Sequence, residues 1–195
     1  MEYIVRRAKE SEKYQIALTI AHSFKNDFSN FAKNIDNMAK VFESGVDIPR
    51  FVVAEKNSKI VGIIGRGDCN GRALNVSKKA CRKHLGFIRG SIAFMVFKEE
   101  FMQPLICPAT TGYIDLVGVL EEARGQGIAK AMLRKTVEYN PEYAEFILNV
   151  TDINTGAIKL YEGFGFAEFE RKPYKWAKQA GFKEKIWMRY TKEVH

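Results

Sequence analysis

Apolar residues recur at helical spacing through the first 45 residues of the chain. The first stripe predicts a helix beginning near Ser11 and contains Ile16, Ala17, Ile20, Ala21 and Phe24. A second stripe predicts another helix, because its members lie four, three and four residues apart: Phe31, Ile35, Met38 and Phe42. Gly45 follows and is typical of a helix end. A short strand over residues 3–7 is predicted before both helices.

Short apolar runs separated by turn residues predict the strands of a sheet. The segments 51–55 and 59–65 flank Asn57-Ser58 and predict a hairpin. Four further strands are predicted at 112–120, 145–150, 166–172 and 184–190, with helices near 126–139 and 155–162. Helices alternate with strands in the middle of the chain, and hairpins lie at both ends. This order predicts a mixed sheet.

Residues 68–110 lack the strand pattern of their neighbours. They contain a basic segment with helical spacing, formed by Lys78, Lys79, Arg82, Lys83 and Arg89. The apolar patch 92–97 follows it. We interpret this stretch as one or two helices inserted between strands of a single domain that spans residues 1–195.

Composition narrows the class of protein. The chain has 195 residues, 46% of them hydrophobic, which is enough for one sizeable core. Its net charge of +8 favours an anionic ligand or nucleic acid, or serves solubility alone. Cys69, Cys81 and Cys107 match neither a zinc pattern nor a disulfide framework, so we expect no metal and a cytoplasmic protein. No apolar run approaches the length of a bilayer span, so no membrane partner is expected.

The most informative feature is the junction between the strand 112–120 and the helix that follows. It reads Arg124-Gly-Gln-Gly-Ile-Ala129. Backbone amides at such a helix start point the same way, and small residues let a diphosphate approach them closely. The spacing fits neither a Rossmann fingerprint nor a P-loop. The junction therefore predicts a phosphate-bearing ligand, and its alternative is a turn whose glycines serve geometry only.

A second motif follows the strand that ends near Val150. It reads Asn154-Thr-Gly-Ala-Ile-Lys-Leu-Tyr-Glu-Gly-Phe-Gly-Phe166. Together with the glycine junction at this separation, it resembles the GNAT superfamily of N-acetyltransferases. The resemblance is clearest from Gly112 to Phe166 and is weaker for the hairpin 51–66 and the N-terminal helices.

The resemblance implies an α/β fold with a central twisted mixed sheet of about seven strands. Helices would flank this sheet, and it would be splayed between its fourth and fifth strands. It also implies acetyl-CoA as the donor, bound through the backbone of Val117, Gly118 and Val119. The diphosphate would be held by Arg124, Gly125, Gln126, Gly127, Ile128 and Ala129. Asn154 and Ala157 would line the other wall of the groove, although Asn154 also suits a helix N-cap.

Asp115 is the anomalous residue of its strand. Alternation places it on one face, together with Tyr113, Val117 and Val119, and the strand is apolar enough to be central. A buried carboxylate there needs a partner or a raised pKa. Two roles stay open. Asp115 is either a general base that deprotonates the incoming amine, directly or through water, or a salt-bridged structural residue.

Tyr161 is the candidate general acid. In the family that the motif resembles, the phenol at this position donates a proton to the departing CoA thiolate. The alternative is an amphipathic tyrosine that packs its ring in the core and leaves its hydroxyl at the rim.

These motifs predict an enzyme, an acyltransferase that moves the acetyl group of acetyl-CoA to a primary amine by direct attack in a ternary complex. The acceptor, a small molecule or a peptide, is not specified by the sequence. Two other functions compete: a non-catalytic acyl-CoA sensor and a basic nucleic-acid-binding module, the latter suggested by the cations and aromatics of residues 171–178. Solvated surfaces explain those cations more simply, so nucleic acid is not expected. The closing strands leave a homodimer open.

Overall fold

The structure, a computed structural model, describes residues 2–32, 34–175, 177 and 181–192. In these ranges seven strands form one sheet: β1 Ile4–Arg7, β2 Phe51–Lys56, β3 Lys59–Gly67, β4 Thr111–Val119, β5 Glu145–Thr151, β6 Ala167–Pro173 and β7 Glu184–Thr191. Within the same ranges six α-helices accompany them: α1 Lys13–Ser23, α2 Ile35–Glu43, α3 Lys78–Leu85, α4 Phe87–Phe101, α5 Ile128–Tyr139 and α6 Thr155–Phe164.

The strands lie side by side in the order β1-β2-β3-β4-β5-β7-β6. Neighbouring strands are antiparallel except β4 and β5, which run parallel. A parallel pair needs a crossover connection, and α5 supplies it. The mixed sheet of about seven strands, flanked by helices, is confirmed.

Both N-terminal helices are shorter than the apolar stripes predicted. A 3₁₀ turn occupies residues 10–12, so α1 begins at Lys13, and Phe24 is its C-cap. The second helix does not include Phe31, because Asn34 caps it and accepts hydrogen bonds from the amides of residues 36 and 37 at 2.8 and 3.2 Å. Phe31 instead packs from the preceding turns against Phe97, with ring centroids 5.7 Å apart. Helical spacing alone therefore misplaced this residue.

The hairpin between β2 and β3 is present as predicted. Asn57 and Ser58 form its two-residue turn and have φ angles of 51° and 60°. These left-handed values match the right-handed twist of the strands that the turn joins.

Two hydrophobic clusters cover the two faces of the sheet. On one face, named the α1 face here, helices α1 to α4 supply buried side chains such as Ile16, Phe42, Cys81 and Phe97. On the opposite α5 face, helices α5 and α6 supply Ile128, Met132, Leu133 and Tyr161. Adjacent strand residues divide between the clusters, as Val52 and Val53 do.

The stretch between β3 and β4 forms two helices that pack closely. A side chain at Gly90 of α4 would place its Cβ 2.3 Å from the carbonyl oxygen of Cys81 in α3, so only glycine fits. Cys81 is itself fully buried, and burial raises the pKa of its thiol to about 11. The helices α3 and α4 are thus built into the α1 face.

A buried polar cluster around Asp68 ends β3. The Asp68 carboxylate accepts hydrogen bonds from Arg50, Arg66 and Tyr143 at 3.0, 3.0 and 2.8 Å. It also accepts two from backbone amides of the turn that follows. Burial opposes ionisation of this carboxyl, but the donors outweigh burial and hold the pKa of Asp68 well below its usual range.

We expect Asp68→Asn to lower the free energy of unfolding by about 3 kcal/mol, because two arginines lose their buried counter-ion. The pKa of Asp68 is lower in the folded than in the unfolded state. Its ionised form therefore stabilises the fold fully above the unfolded pKa of about 3.9 and progressively less as the pH falls below it. Denaturant unfolding as a function of pH measures both effects.

The control for Asp68 is Glu138→Gln, which breaks an exposed pair with Lys135. This variant is expected to leave the free energy of unfolding close to that of the parent, because the pair is exposed to solvent. An acid transition that is the same in Asp68→Asn as in the parent would contradict the role given to Asp68.

Candidate active site

The strands β4 and β5 separate shortly after they begin. Only Thr111–Tyr113 of β4 pairs with β5, at Glu145–Ile147. Beyond these residues β4 continues to Val119 and β5 to Thr151 without pairing to each other. The sheet is therefore splayed between its fourth and fifth strands, as expected, and we call the opening the gap.

Backbone polar groups of β4 face this gap. The amide of Leu120 donates to the carbonyl of Val61 at 2.8 Å, and Gly118 is paired with Ile63 of β3. Hydrogen-bonding direction alternates along a strand, so Gly118 directs its backbone groups toward β3. Val117 and Val119 direct theirs toward the gap.

A β-bulge at Asp115 changes the faces of β4. Gly65 pairs with Leu116, but the next residue of β3, Arg66, pairs with Ile114, so Asp115 is an extra residue in β4. As a result Leu116 belongs to the α1-face cluster and Ile114 to the α5-face cluster. The prediction that Asp115 shares a face with Val117 and Val119 is wrong, because simple alternation cannot anticipate a bulge.

Asp115 lies buried in an ion pair with Arg72. The Arg72 Nε donates to one carboxylate oxygen at 2.6 Å, and the backbone amide of Ala73 donates to the other at 2.8 Å. Burial raises the pKa of Asp115, and both donors oppose that rise. Each carboxylate oxygen thus already has a hydrogen-bond donor.

The glycine junction forms an exposed turn at the start of α5. Gly125 and Gly127 have φ angles of 73° and 74°, which favour glycine, and residues 124–127 are exposed. The first helical hydrogen bond runs from the amide of Ala131 to the carbonyl of Gly127 at 3.0 Å. Among the described residues, no backbone acceptor meets the amides of residues 125–130. These amides are available to an anion.

Side chains of the turn hold its shape. The Nε of Arg124 donates to the carbonyl of Val119 at 3.2 Å, at the edge of the gap. Gln126 accepts a hydrogen bond from Lys56 at 2.7 Å. Ile128 and the neighbouring Ala129 begin α5, and Ile128 is buried in the α5-face cluster.

The helix α6 follows β5 and begins at a capped end. Asn154 is its N-cap and accepts a hydrogen bond from the amide of Ala157 at 3.1 Å. Lys130 of α5 donates to the carbonyl of Gly163 at 2.8 Å and so ties the two helices together. Asn154 therefore caps α6, as the sequence suggested.

Tyr161 lies one helical turn after Ala157 in α6, and the residue is only 8% exposed. Its ring packs edge-on against Phe166, with centroids 5.8 Å apart. Burial alone raises the pKa of the phenol to about 12. The α5-face cluster brings Tyr161 together with Ile128 and with three partly buried neighbours: Val117, Val119 and Ala157. Gly118 and Asp115 instead contact residues of the α1 face.

A family model decides the relationship. The model described as the acetyltransferase (GNAT) family matches residues 17–166, which is most of the chain. The chain belongs to the GNAT family. No curated protein sequence gives a significant match to this GNAT chain.

Solved structures share the GNAT fold at low sequence identity. An N-acetyltransferase from Staphylococcus aureus Mu50 has a TM-score of 0.63 and 16% identity, with 96% of this chain and 100% of that chain covered. A ribosomal-protein-alanine N-acetyltransferase from Brucella melitensis has a TM-score of 0.62 and 16% identity, with 97% and 99% covered. The protein yncA from Salmonella typhimurium, solved with its cofactor acetyl-CoA, has a TM-score of 0.61 and 15% identity, with 99% and 95% covered. At these identities the likeness concerns the fold.

On the α1 face, the gap between β4 and β5 has polar neighbours that the sequence motifs did not indicate. The Tyr113 ring lies tilted against that of Trp187, with ring centroids 6.0 Å apart, and its hydroxyl accepts a hydrogen bond from Asn149. The guanidinium of Arg72 lies 5.1 Å from the Tyr113 ring centroid. Arg72 is 43 residues from Asp115 in sequence, so no local pattern could have paired them.

Two buried polar atoms near the gap have no hydrogen-bond partner among the described residues. They are the Ser23 hydroxyl and the Trp187 indole nitrogen. Ser23 ends α1 and lies against Gly118, where an added Cβ would be 2.7 Å from the hydroxyl. The glycine at 118 therefore lets α1 pack closely on β4.

In the described ranges, no group of three or more His, Cys, Asp or Glu side chains could hold a metal ion. None of the helices in that part of the chain has the length and apolar character needed to span a bilayer.

The basic stretch near residues 171–178 is partly described. Arg171 pairs with Glu168 at 2.7 Å, and Lys172 pairs with Glu170 at 3.0 Å. Trp176 and Lys178 lie outside the described residues. Arg171 and Lys172 are thus both paired with acidic neighbours.

Proposed function

We propose that the chain transfers the acetyl group of acetyl-CoA to a primary amine by direct attack in a ternary complex. The observation that carries this proposal is the gap between β4 and β5, which opens beside the free amides at the start of α5. A thioester arm fits between the strands while its diphosphate lies on the turn.

The turn supplies most of the binding energy for the diphosphate. Each charge-assisted hydrogen bond from an amide contributes about 1.5–3 kcal/mol, compared with about 0.3–1 kcal/mol from the helix dipole alone. Residues 125–129 would donate through their backbone, and Arg124 would add charge. Val117 and Val119 would bond the pantetheine arm through groups that face the gap. Asn154 and Ala157 would line the opposite wall.

The amine must be neutral when it attacks the thioester carbonyl. Deprotonating an amine of pKa about 10.4 at pH 7 costs about 4.6 kcal/mol, which a base or a chain of water molecules offsets. Attack on the thioester carbonyl forms the C–N bond, and collapse of the adduct breaks the C–S bond, while the nitrogen gives its excess proton to water. Tyr161 gives its proton to the departing thiolate and regains one from water, and its raised pKa means that the phenol is protonated before the step.

We propose that Asp115 acts as a positioning residue. Its two oxygens are held by Arg72 and Ala73, so a proton from the amine would have to compete with existing donors. The Asp115 carboxylate fixes the position of Arg72. The Arg72 guanidinium in turn lies over the ring of Tyr113 on the α1 face of the sheet. In this assignment water in the gap accepts the amine proton.

The acceptor is proposed to be a small-molecule or peptide amine. One structural neighbour is named for acetylating an alanine of a ribosomal protein, and another, the NatC complex, was solved with a Gag peptide and CoA. A peptide with N-terminal alanine therefore belongs among the first acceptors to try.

We also propose a cytoplasmic location, because the three cysteines are free and a reducing compartment keeps them so.

An acceptor panel tests the proposed function. Acetyl-CoA is mixed with the protein and, in turn, an alanine-terminated peptide, an N-blocked lysine peptide, spermidine and an aminoglycoside. Release of free thiol and the mass of the product are measured. Turnover with one class and an N-acetylated product are expected. Acetyl-CoA binding without turnover on any amine would instead indicate an acyl-CoA sensor.

The glycine turn yields a separate prediction. Gly127→Ala is expected to raise the dissociation constant of CoA roughly 10-fold, because the free variant relaxes from the left-handed conformation and returning to it on binding costs about 1–2 kcal/mol. Calorimetric titration with CoA measures it. The control, Gly163→Ala in α6, has nothing within 4 Å of the added Cβ and is expected to bind CoA like the parent. Equal affinities for the two variants would contradict the placement of the diphosphate.

A further inference from the structure

The helix α4 is apolar on two sides, although only one of them is covered by other residues that the structure describes. Its inner side buries Gly90, Ala93 and Phe97 in the α1-face cluster. On its outer side four large apolar side chains are exposed: Ile88 at 75%, Ile92 at 47%, Met95 at 63% and Val96 at 36%. A helix that is apolar on both sides is normally buried on both sides.

The exposed residues form one continuous stripe. Ile88 and Ile92 are four residues apart, and Met95 and Val96 follow after three and four more, so all four lie on one side of the helix. The stripe from 88 to 96 is about 12 Å long at 1.5 Å per residue. We call it the outer stripe. A clustered apolar surface of this kind marks a site of association.

The charges at its two ends are opposite. Arg89 stands at the N-terminal end, next to the basic residues of α3, and is exposed. Glu99 stands at the C-terminal end, also exposed, with a hydrogen bond from Gln103 at 3.1 Å. When two such helices lie antiparallel, Arg89 of each meets Glu99 of the other. The outer stripe is therefore complementary to itself.

We propose that a second copy of the chain covers the outer stripe, with the two α4 helices packed antiparallel across a two-fold axis. Such a contact is isologous, since the same residues serve both sides. Apolar side chains fill the centre and the Arg89–Glu99 pairs close both ends. An anionic membrane suits the stripe less well, because Glu99 at one end would be repelled by the lipid headgroups. The proposal does not depend on the proposed acetyltransferase function.

The close packing of α3 on α4 presents this surface as a rigid unit. Gly90 lies against the Cys81 carbonyl, and Arg82 of α3 donates to Ser91 of α4 at 2.9 Å. Because the helix is already ordered, association loses little conformational entropy.

Sedimentation equilibrium of the full chain tests the proposal. We expect the parent to be a dimer at micromolar concentration, and Ile92→Glu to raise the dimer dissociation constant roughly 100-fold by placing a carboxylate in the apolar centre. Ile4→Glu, at an isoleucine of β1 that is also exposed (63%), is the control and is expected to leave the dimer intact. Phe169→Glu on β6 tests the rival interface, in which two copies would pair through the last two strands, β6 and β7. A parent that is monomeric, or a dimer broken by Phe169→Glu and kept by Ile92→Glu, would overturn the proposal.

Charge reversal adds a test that misfolding cannot imitate. Arg89→Glu and Glu99→Arg are each expected to weaken the dimer roughly 10-fold, and the double variant to recover most of the loss. Thermal unfolding checks that each variant remains folded. Binding of the monomer to anionic vesicles, with no self-association, would instead assign the stripe to a membrane and refute the dimer.

Discussion

Tyr161→Phe is expected to lower kcat by about 10²–10⁴-fold, the range for loss of a general acid. The variant keeps the ring that packs against Phe166, so the fold and the acetyl-CoA site should persist. Because burial raises the pKa of Tyr161 to about 12, the parent phenol stays protonated across the range in which activity is measured. The rate of the parent should therefore rise with pH as the acceptor amine loses its proton, with no decline from ionisation of Tyr161 below about pH 10.

Steady-state kinetics with both substrates check this result. The KM for acetyl-CoA should change by less than roughly twofold, since the hydroxyl acts on the leaving group and not on binding. Tyr190→Phe is the matched control, because Tyr190 packs against the same α5-face cluster outside the proposed site. If Tyr161→Phe and Tyr190→Phe retain the same kcat, Tyr161 has only a packing role.

Asp115→Asn is expected to lower the free energy of unfolding by about 3–5 kcal/mol, because Arg72 is left with a buried, uncompensated charge. The loss should appear in denaturant unfolding at neutral pH. Asp47→Asn, which breaks the more exposed pair with Arg50, is the control and should cost less than about 1 kcal/mol.

The same variant separates the two roles of Asp115. If Asp115 is a positioning residue, the Asp115→Asn variant should keep the shape of the profile of kcat against pH. Its activity should fall only in proportion to the fraction of protein that is folded. A general base would behave differently: kcat per folded molecule would fall by about 10²–10⁴-fold, and the limb of the pH profile that reports its ionisation would be lost. That second pattern would return Asp115 to the catalytic machinery.

Local patterns in the sequence predicted most of the fold. The hairpin at Asn57-Ser58, the strand leading into the glycine turn and the N-cap at Asn154 all depend on residues close together in the chain. Each was therefore visible in the order of residues alone. The exposure of residues 124–127 follows from the same local chemistry, since a helix start with small residues leaves its amides free.

The features that the sequence did not predict depend on distant contacts. The bulge at Asp115 exists because β3 and β4 pair out of step there, and pairing between strands has no local signal. Arg72 reaches Asp115 across 43 residues. Phe31 has helical spacing but packs from a turn, since the aromatic cluster at Phe97 and the cap at Asn34 compete with helix formation. In each case tertiary packing decided the outcome.

The position of β6 at the rim of the sheet has a consequence for solubility. No strand in the described ranges pairs with its outer edge, and an edge of this kind can recruit a strand from another molecule, the first step of fibril-like assembly. Every residue of β6 is exposed, and the strand carries two acidic and two basic side chains before ending at Pro173. These residues make edge-to-edge pairing unfavourable, so the chain can expose a bare strand and still resist aggregation.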